Sequence, residues 1–218
     1  MDPTLLRVLL VIVAYVAGSI PFGVLVARAS GGIDPRTIGS GRTGGTNALR
    51  ALGRKWAAVV VTGDLAKGAL PVLLARFLTG GDALAEVLVA AAAVVGSSRS
   101  MFLGFKGGRG VGTGVGTMLV IQPLAIVITA PVFIGVILIT RYVSLGSLLG
   151  SAAMFPAMLL IWAVASGAVP PAYLLWAAAG PALIWLAHAD NIHRLLTGQE
   201  RKFDLGLLGG RGHGGGSA

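Results

Sequence analysis

Six stretches of about 20 mainly apolar residues, the length that crosses the hydrocarbon core of a bilayer as a helix, constrain this chain more than any other feature. They cover residues 5–27, 56–78, 83–105, 111–139, 143–165 and 172–187. Only 11% of the chain is charged, against roughly a quarter in a soluble domain, and the mean hydropathy is +0.85. The start, Met1-Asp2-Pro3, lacks the basic flank of a cleaved leader, so the first stretch reads as a retained span. The fourth stretch holds 29 residues and is interrupted by Gln122-Pro123. Proline removes a backbone donor and clashes with the preceding turn, so the stretch is expected to divide there. The expected fold is all-α and integral to a membrane, with seven transmembrane helices in one domain over residues 1–208. The glycine-rich tail, 209–218, is expected to be disordered.

Charge gives this topology a direction. With seven spans, 14 of the 17 basic residues fall in four segments on one side: 28–55, 97–110, 140–142 and 188–218. The turns on the other side, 79–82, 122–123 and 166–171, carry none. The positive-inside rule then predicts an outside N-terminus and a cytoplasmic C-terminus. The same rule accounts for the net charge of +9 without a nucleic-acid partner. No cysteine occurs, which excludes disulfides, thiolate metal sites and a cysteine acyl-enzyme.

Three of the basic segments have the chemistry of anion sites. In the first, Gly39-Ser40-Gly41-Arg42-Thr43-Gly44-Gly45-Thr46-Asn47 and Arg50 combine glycines with hydroxyl, amide and guanidinium groups. Glycines let backbone N–H groups turn inward as an anion nest, and arginine can grip a phosphate through two bonds. In the second, Lys106-Gly107-Gly108-Arg109-Gly110 leads into a span, with Thr113 in its first turn. A glycine turn feeding a helix N-terminus favours phosphate. Gly112, Gly114 and Gly116 fit equally well as close-packing residues between helices. The third contains His188 and Asn191, three apart on one helix face, followed by Arg194, Glu200 and Lys202. Asp64 and Lys67 lie inside the second span on one face, where charges are costly and either functional or mutually neutralising. Ser19-Ile20-Pro21-Phe22-Gly23 predicts a kink beside the loops. The acidic residues are too sparse for a metal site.

With these motifs in this order, up to about Lys202, the chain resembles the bacterial acyl-phosphate:glycerol-3-phosphate acyltransferases of the PlsY type. Gly18–Gly23 and Arg141-Tyr142-Val143-Ser144-Leu145-Gly146-Ser147 also look like that family. The resemblance implies transfer of a fatty acyl group from acyl phosphate to the 1-hydroxyl of glycerol-3-phosphate, giving lysophosphatidic acid and phosphate. It implies no cofactor, a bacterial plasma-membrane location and active-site loops on the cytoplasmic face; a monomer is compatible with it. It implies catalytic roles for Ser40, Asn47, Arg50, His188 and Asn191. It further implies phosphate binding by Gly41, Thr46, Lys106, Gly107, Gly108, Arg109, Gly110 and Thr113, and structural or orienting roles for Asp64, Lys67, Arg141 and Glu200. The family usually has asparagine at Arg42, alanine at Gly45, histidine at Ser97, proline at Ser100 and arginine at Ala189. The alternatives are a membrane phosphatase using the same loops with water as acceptor, and a transporter of small anions or lipid headgroups.

Overall fold

The computed structural model describes residues 2–165 and 169–208; the tail expectation for 209–218 lies outside them. Among the described residues ten α-helices form: α1 (Pro3–Ser19), α2 (Phe22–Ser30), α3 (Gly45–Thr79), α4 (Ala83–Ser98), α5 (Val111–Ile121), α6 (Pro123–Thr140), α7 (Val143–Ala152), α8 (Met154–Val164), α9 (Pro171–Ala187) and α10 (Ala189–Leu196). Four apolar helical segments are long enough to cross a membrane, with α7 and α8 counted as one, and the bent pairs α1–α2 and α9–α10 raise the number to six. The 41° bend between α1 and α2 falls at Pro21, as expected from the sequence. The 67° bend after α9 turns α10 away from the span.

The seventh expected span, α5, is a half-length helix. Its 11 residues rise about 17 Å, against a hydrocarbon core of about 30 Å. Helices α5 and α6 leave the same turn at Gln122, and α5 is seven residues shorter.

Small residues let the backbones meet. A Cβ on Gly18 would overlap the Ala93 carbonyl, and one on Gly96 the Tyr15 carbonyl, so α1 and α4 cross at contact distance. Helices α3 and α5 do the same through Gly68 against Thr113 and Gly116 against Leu65. Close approach of this kind drives association where lipid is as apolar as leucine. The core cluster joins Leu10, Val72, Val89, Met118, Met158 and Trp176, while large apolar side chains such as Phe77 and Ile139 face outward.

The end of the bundle opposite the three loops is held by ion pairs. Glu86, with no exposed surface, accepts from Arg76 Nε at 3.0 Å and Nη2 at 2.7 Å and from the Tyr173 hydroxyl at 2.8 Å. Arg7 meets Asp82 at 2.6 Å. Removing Arg76 strands a buried carboxylate, whereas Arg76 itself is partly exposed and can reach water. Arg76→Met is therefore expected to cost about 3–5 kcal/mol, and Glu86→Gln, which keeps the Tyr173 bond, about 1–2 kcal/mol. Thermal unfolding in detergent checks the order of the two.

Candidate active site

The first loop is tied down by one side chain. Asn47, buried in the first turn of α3, donates from Nδ2 to the carbonyls of Pro35 (2.5 Å), Ile38 (3.1 Å) and Arg42 (2.9 Å). Its Oδ1 accepts from the Ser40 amide at 3.2 Å. Gly39, at φ +56°, passes so close to Asn47 Oδ1 that a Cβ would not fit. Helix α3 is broken at Gly53 (φ 77°), which separates the short piece carrying Thr46, Asn47 and Arg50 from the membrane-spanning remainder.

The second loop packs on the end of α4. The Gly108 amide donates to the Ser97 carbonyl at 3.0 Å, and Gly107 lies so close to it that no side chain fits. Gly110 enters α5 in the left-handed conformation (φ 75°), one that costs glycine nothing. The free N–H groups and dipole of α5 then face the first loop. Ser100, where the family usually has proline, is buried and donates to the Ser19 carbonyl at 2.6 Å.

The third segment centres on Glu200. Its carboxylate accepts from Ser144 Oγ (2.9 Å), Asn191 Nδ2 (2.7 Å) and Arg194 Nε (2.8 Å). The Phe203 amide donates to the Arg141 carbonyl at 2.6 Å. These bonds hold the tail against α7 and α10. His188 lies at the bend, past the end of the span. Its Nδ1 is 2.8 Å from the Ile184 carbonyl. A carbonyl only accepts, so Nδ1 carries the proton and Nε2 is left as an acceptor. Burial, opposed by that bond and helped by the Arg109 charge, lowers the His188 pKa to about 4, so the ring is neutral at pH 7. Asp190 remains ionised below the usual carboxylate range; burial pushes it up, but Arg109, Arg42 and Arg194 outweigh that.

These three segments surround a cavity of about 300 Å³. Ser40, Asn47, Arg50, His188 and Asn191 all line it, as do Thr46, Gly108, Arg109, Gly110, Asp64, Lys67 and Glu200. Its wall carries six cationic side chains, Arg42, Arg50, Lys67, Arg109, Arg194 and Arg201, against two carboxylates. Lys67 Nζ is 2.7 Å from Asp64 and 3.2 Å from the Ile20 carbonyl, which joins the kink at Pro21 to the cavity wall. Gly41, Lys106, Gly107, Thr113 and Arg141 do not line it. Lys106 is exposed, Gly107 is spent on the α4 contact, and Arg141 caps α6 in the left-handed conformation. Among the described residues no three His, Asp or Glu side chains gather as a metal site would need.

A second cavity, of about 270 Å³, lies among α5, α6, α7, α8 and α9. Its wall is almost wholly apolar, with Met118, Ile126, Met154 and Trp176 far from the loops. Val111, Phe133 and Ser147 line both cavities, so the polar one and the apolar one adjoin.

Residues 8–198 match the family model of glycerol-3-phosphate acyltransferase. The chain belongs to this family. It is 42% identical over 207 residues to glycerol-3-phosphate acyltransferase 3 of Dehalococcoides mccartyi (strain CBDB1), covering 90% of this chain and 95% of the relative. The glycerol-3-phosphate acyltransferase of Roseiflexus sp. (strain RS-1) is also 42% identical, over 204 residues, covering 94% of this chain and 98% of the relative. The crystal structure of PlsY, an integral membrane glycerol 3-phosphate acyltransferase, superimposes in its glycerol 3-phosphate form with a TM-score of 0.83 at 38% identity, covering 94% of this chain and 99% of PlsY. The lysophosphatidic acid form of PlsY gives 0.81 at 38% identity, covering 93% of this chain and 98% of PlsY.

Sequence reasoning gave no role to Arg201, which lines the cavity, or to Asp190, which bridges its arginines without lining it. Ser97 and Ser147, both in segments that resemble the family, also line it. Asp190 sits beside Asn191, but its partner Arg109 is 81 residues away, a pairing that no local spacing announces.

Proposed function

We propose that this chain transfers a fatty acyl group from an acyl phosphate to the 1-hydroxyl of glycerol-3-phosphate, releasing lysophosphatidic acid and inorganic phosphate. The observation that carries the reading is a cationic cavity and an apolar one side by side, sharing Val111, Phe133 and Ser147. A donor with a phosphate head and an alkyl tail matches that pair, and a small phosphorylated polyol matches the remaining polar space. The family's activity and the two ligand forms of PlsY support it.

Acyl phosphate is a mixed anhydride, already activated, so the reading requires no coenzyme and no acyl-enzyme. The acceptor hydroxyl oxygen attacks the carbonyl carbon, and the carbon–oxygen bond to phosphorus breaks. The phosphate leaves with the electron pair and takes up the hydroxyl proton. Ser40, Thr46, Arg50, Arg109 and the amides of Arg109 and Gly110 hold phosphate oxygens, where fixed donors stabilise developing charge. Holding both reactants in a near-attack geometry supplies much of the remaining acceleration. His188 Nε2 and Asn191 Oδ1, both acceptors, orient the attacking hydroxyl. Asn191 Oδ1 is buried with no partner in the protein. Glu200 keeps Asn191 and Arg194 in place. The charge bias of the loops supports a bacterial plasma-membrane protein with its N-terminus outside and this cavity on the cytoplasmic face.

In proteoliposomes given palmitoyl phosphate and glycerol-3-phosphate, the wild-type chain is expected to form lysophosphatidic acid. Arg50→Ala and Ser40→Ala, each confirmed as folded, are expected to lose about 100-fold or more in kcat/KM. Folded variants that retain wild-type rates would remove the first loop from the mechanism.

A further inference from the structure

One carboxylate oxygen holds three guanidinium groups at the mouth of this site. Asp190 Oδ2 lies 2.9 Å from Arg109, 3.3 Å from Arg194 and 3.8 Å from Arg42. The three arginines come from the second loop, from α10 and from the first loop, so a single atom links all three segments. The donor side of this cluster is under-satisfied. Arg109 Nε is buried with no partner. Arg42 is beyond hydrogen-bond distance of the carboxylate, and its one other contact is a long 3.4 Å bond to the Gly107 carbonyl. Asp190 Oδ1 is likewise buried without a partner. All three arginines also line the cavity.

Three planar cations converging on one oxygen match a phosphate better than a carboxylate. A phosphate dianion brings three oxygens and twice the charge, and arginine binds such oxygens in pairs. We infer that Asp190 is a positioning residue: from outside the cavity wall its carboxylate keeps Arg42, Arg109 and Arg194 spread until a phosphate in the cavity takes them over. The inference rests on the proposed function, in that the cavity must take a phosphate group.

Such a carboxylate competes with the ligand. Removing its charge strengthens phosphate binding and slows departure of the phosphate product. A mere structural clasp behaves in the opposite way, because losing it loosens the arginines and weakens binding. The test measures inorganic phosphate binding by calorimetry, and inhibition of acyl transfer by phosphate, in folded protein. Asp190→Asn and Asp190→Ser are expected to bind phosphate about tenfold more tightly, with a lowered kcat. Asp190→Glu, which restores the carboxylate, is expected to return both values towards wild type. Unchanged or weaker phosphate binding in the neutral variants, or failure of both to fold, would overturn the inference. A wild-type chain that neither binds phosphate nor transfers acyl groups would instead overturn the function beneath it.

Discussion

Asn47→Asp is expected to silence acyl transfer as completely as Asn47→Ala, although it changes one atom. The amide Nδ2 has two hydrogens and serves three carbonyls, those of Pro35, Ile38 and Arg42. A carboxylate has none to give, and it would place negative charge against the same three oxygens. Each buried carbonyl left without a donor costs about 1–3 kcal/mol, and the loop relaxes instead of accepting that cost. Arg42 and Ser40 then leave the cavity wall. A displacement of about 1 Å in a catalytic constellation can cost about 100-fold, and both variants are expected to lose at least about that much in kcat/KM. The membrane-spanning part of α3 begins beyond the break at Gly53, so the melting temperature in detergent should change little. Asn47→Asp protein with near-normal activity would mean that the loop has another anchor.

Gly68→Ala and Gly116→Ala are expected to have the largest effect on folding. A methyl group at Gly68 would sit inside the Thr113 carbonyl, and one at Gly116 inside the Leu65 carbonyl. Both obstacles are backbone, which cannot turn aside as a side chain can. Overpacking ordinarily costs about 1–3 kcal/mol, and two helix backbones forced apart should lie at or beyond the top of that range. Helix α5 carries the second loop, so separating it from α3 also takes Gly108–Gly110 away from Thr46 and Arg50. Gly135→Ala in α6 is the control. Nothing lies within 4 Å of the added methyl, and alanine gains up to about 1 kcal/mol of helix propensity. Expression level and thermal unfolding in detergent should separate the first two variants sharply from the third.

Much of this structure is legible in the sequence because a bilayer imposes length. The apolar runs mark the spans, Pro21 marks the bend between α1 and α2, and Gln122-Pro123 marks the break before α6. The shortness of α5 is legible too, because only 11 residues separate Gly110 from Gln122. The site is legible in part. Ser40, Arg50, His188 and Asn191 announce themselves through residue type at close spacing and do line one cavity. Asn47 also lines it, yet its hydrogen bonds go to the loop. Lys106 looked like a phosphate ligand because it precedes glycines, yet it is exposed and outside the cavity wall. Arg42 approaches Asp190, 148 positions away, in the folded chain. Such pairings are made by tertiary structure and leave no periodic trace.

The most direct measurement is the release of inorganic phosphate from palmitoyl phosphate by purified chain in lipid, with and without glycerol-3-phosphate. The adjoining cavities predict release that needs the acceptor and matches lysophosphatidic acid formation one for one. Release of equal rate without the acceptor would contradict acyl transfer and make the chain a phosphatase that uses water in the same site.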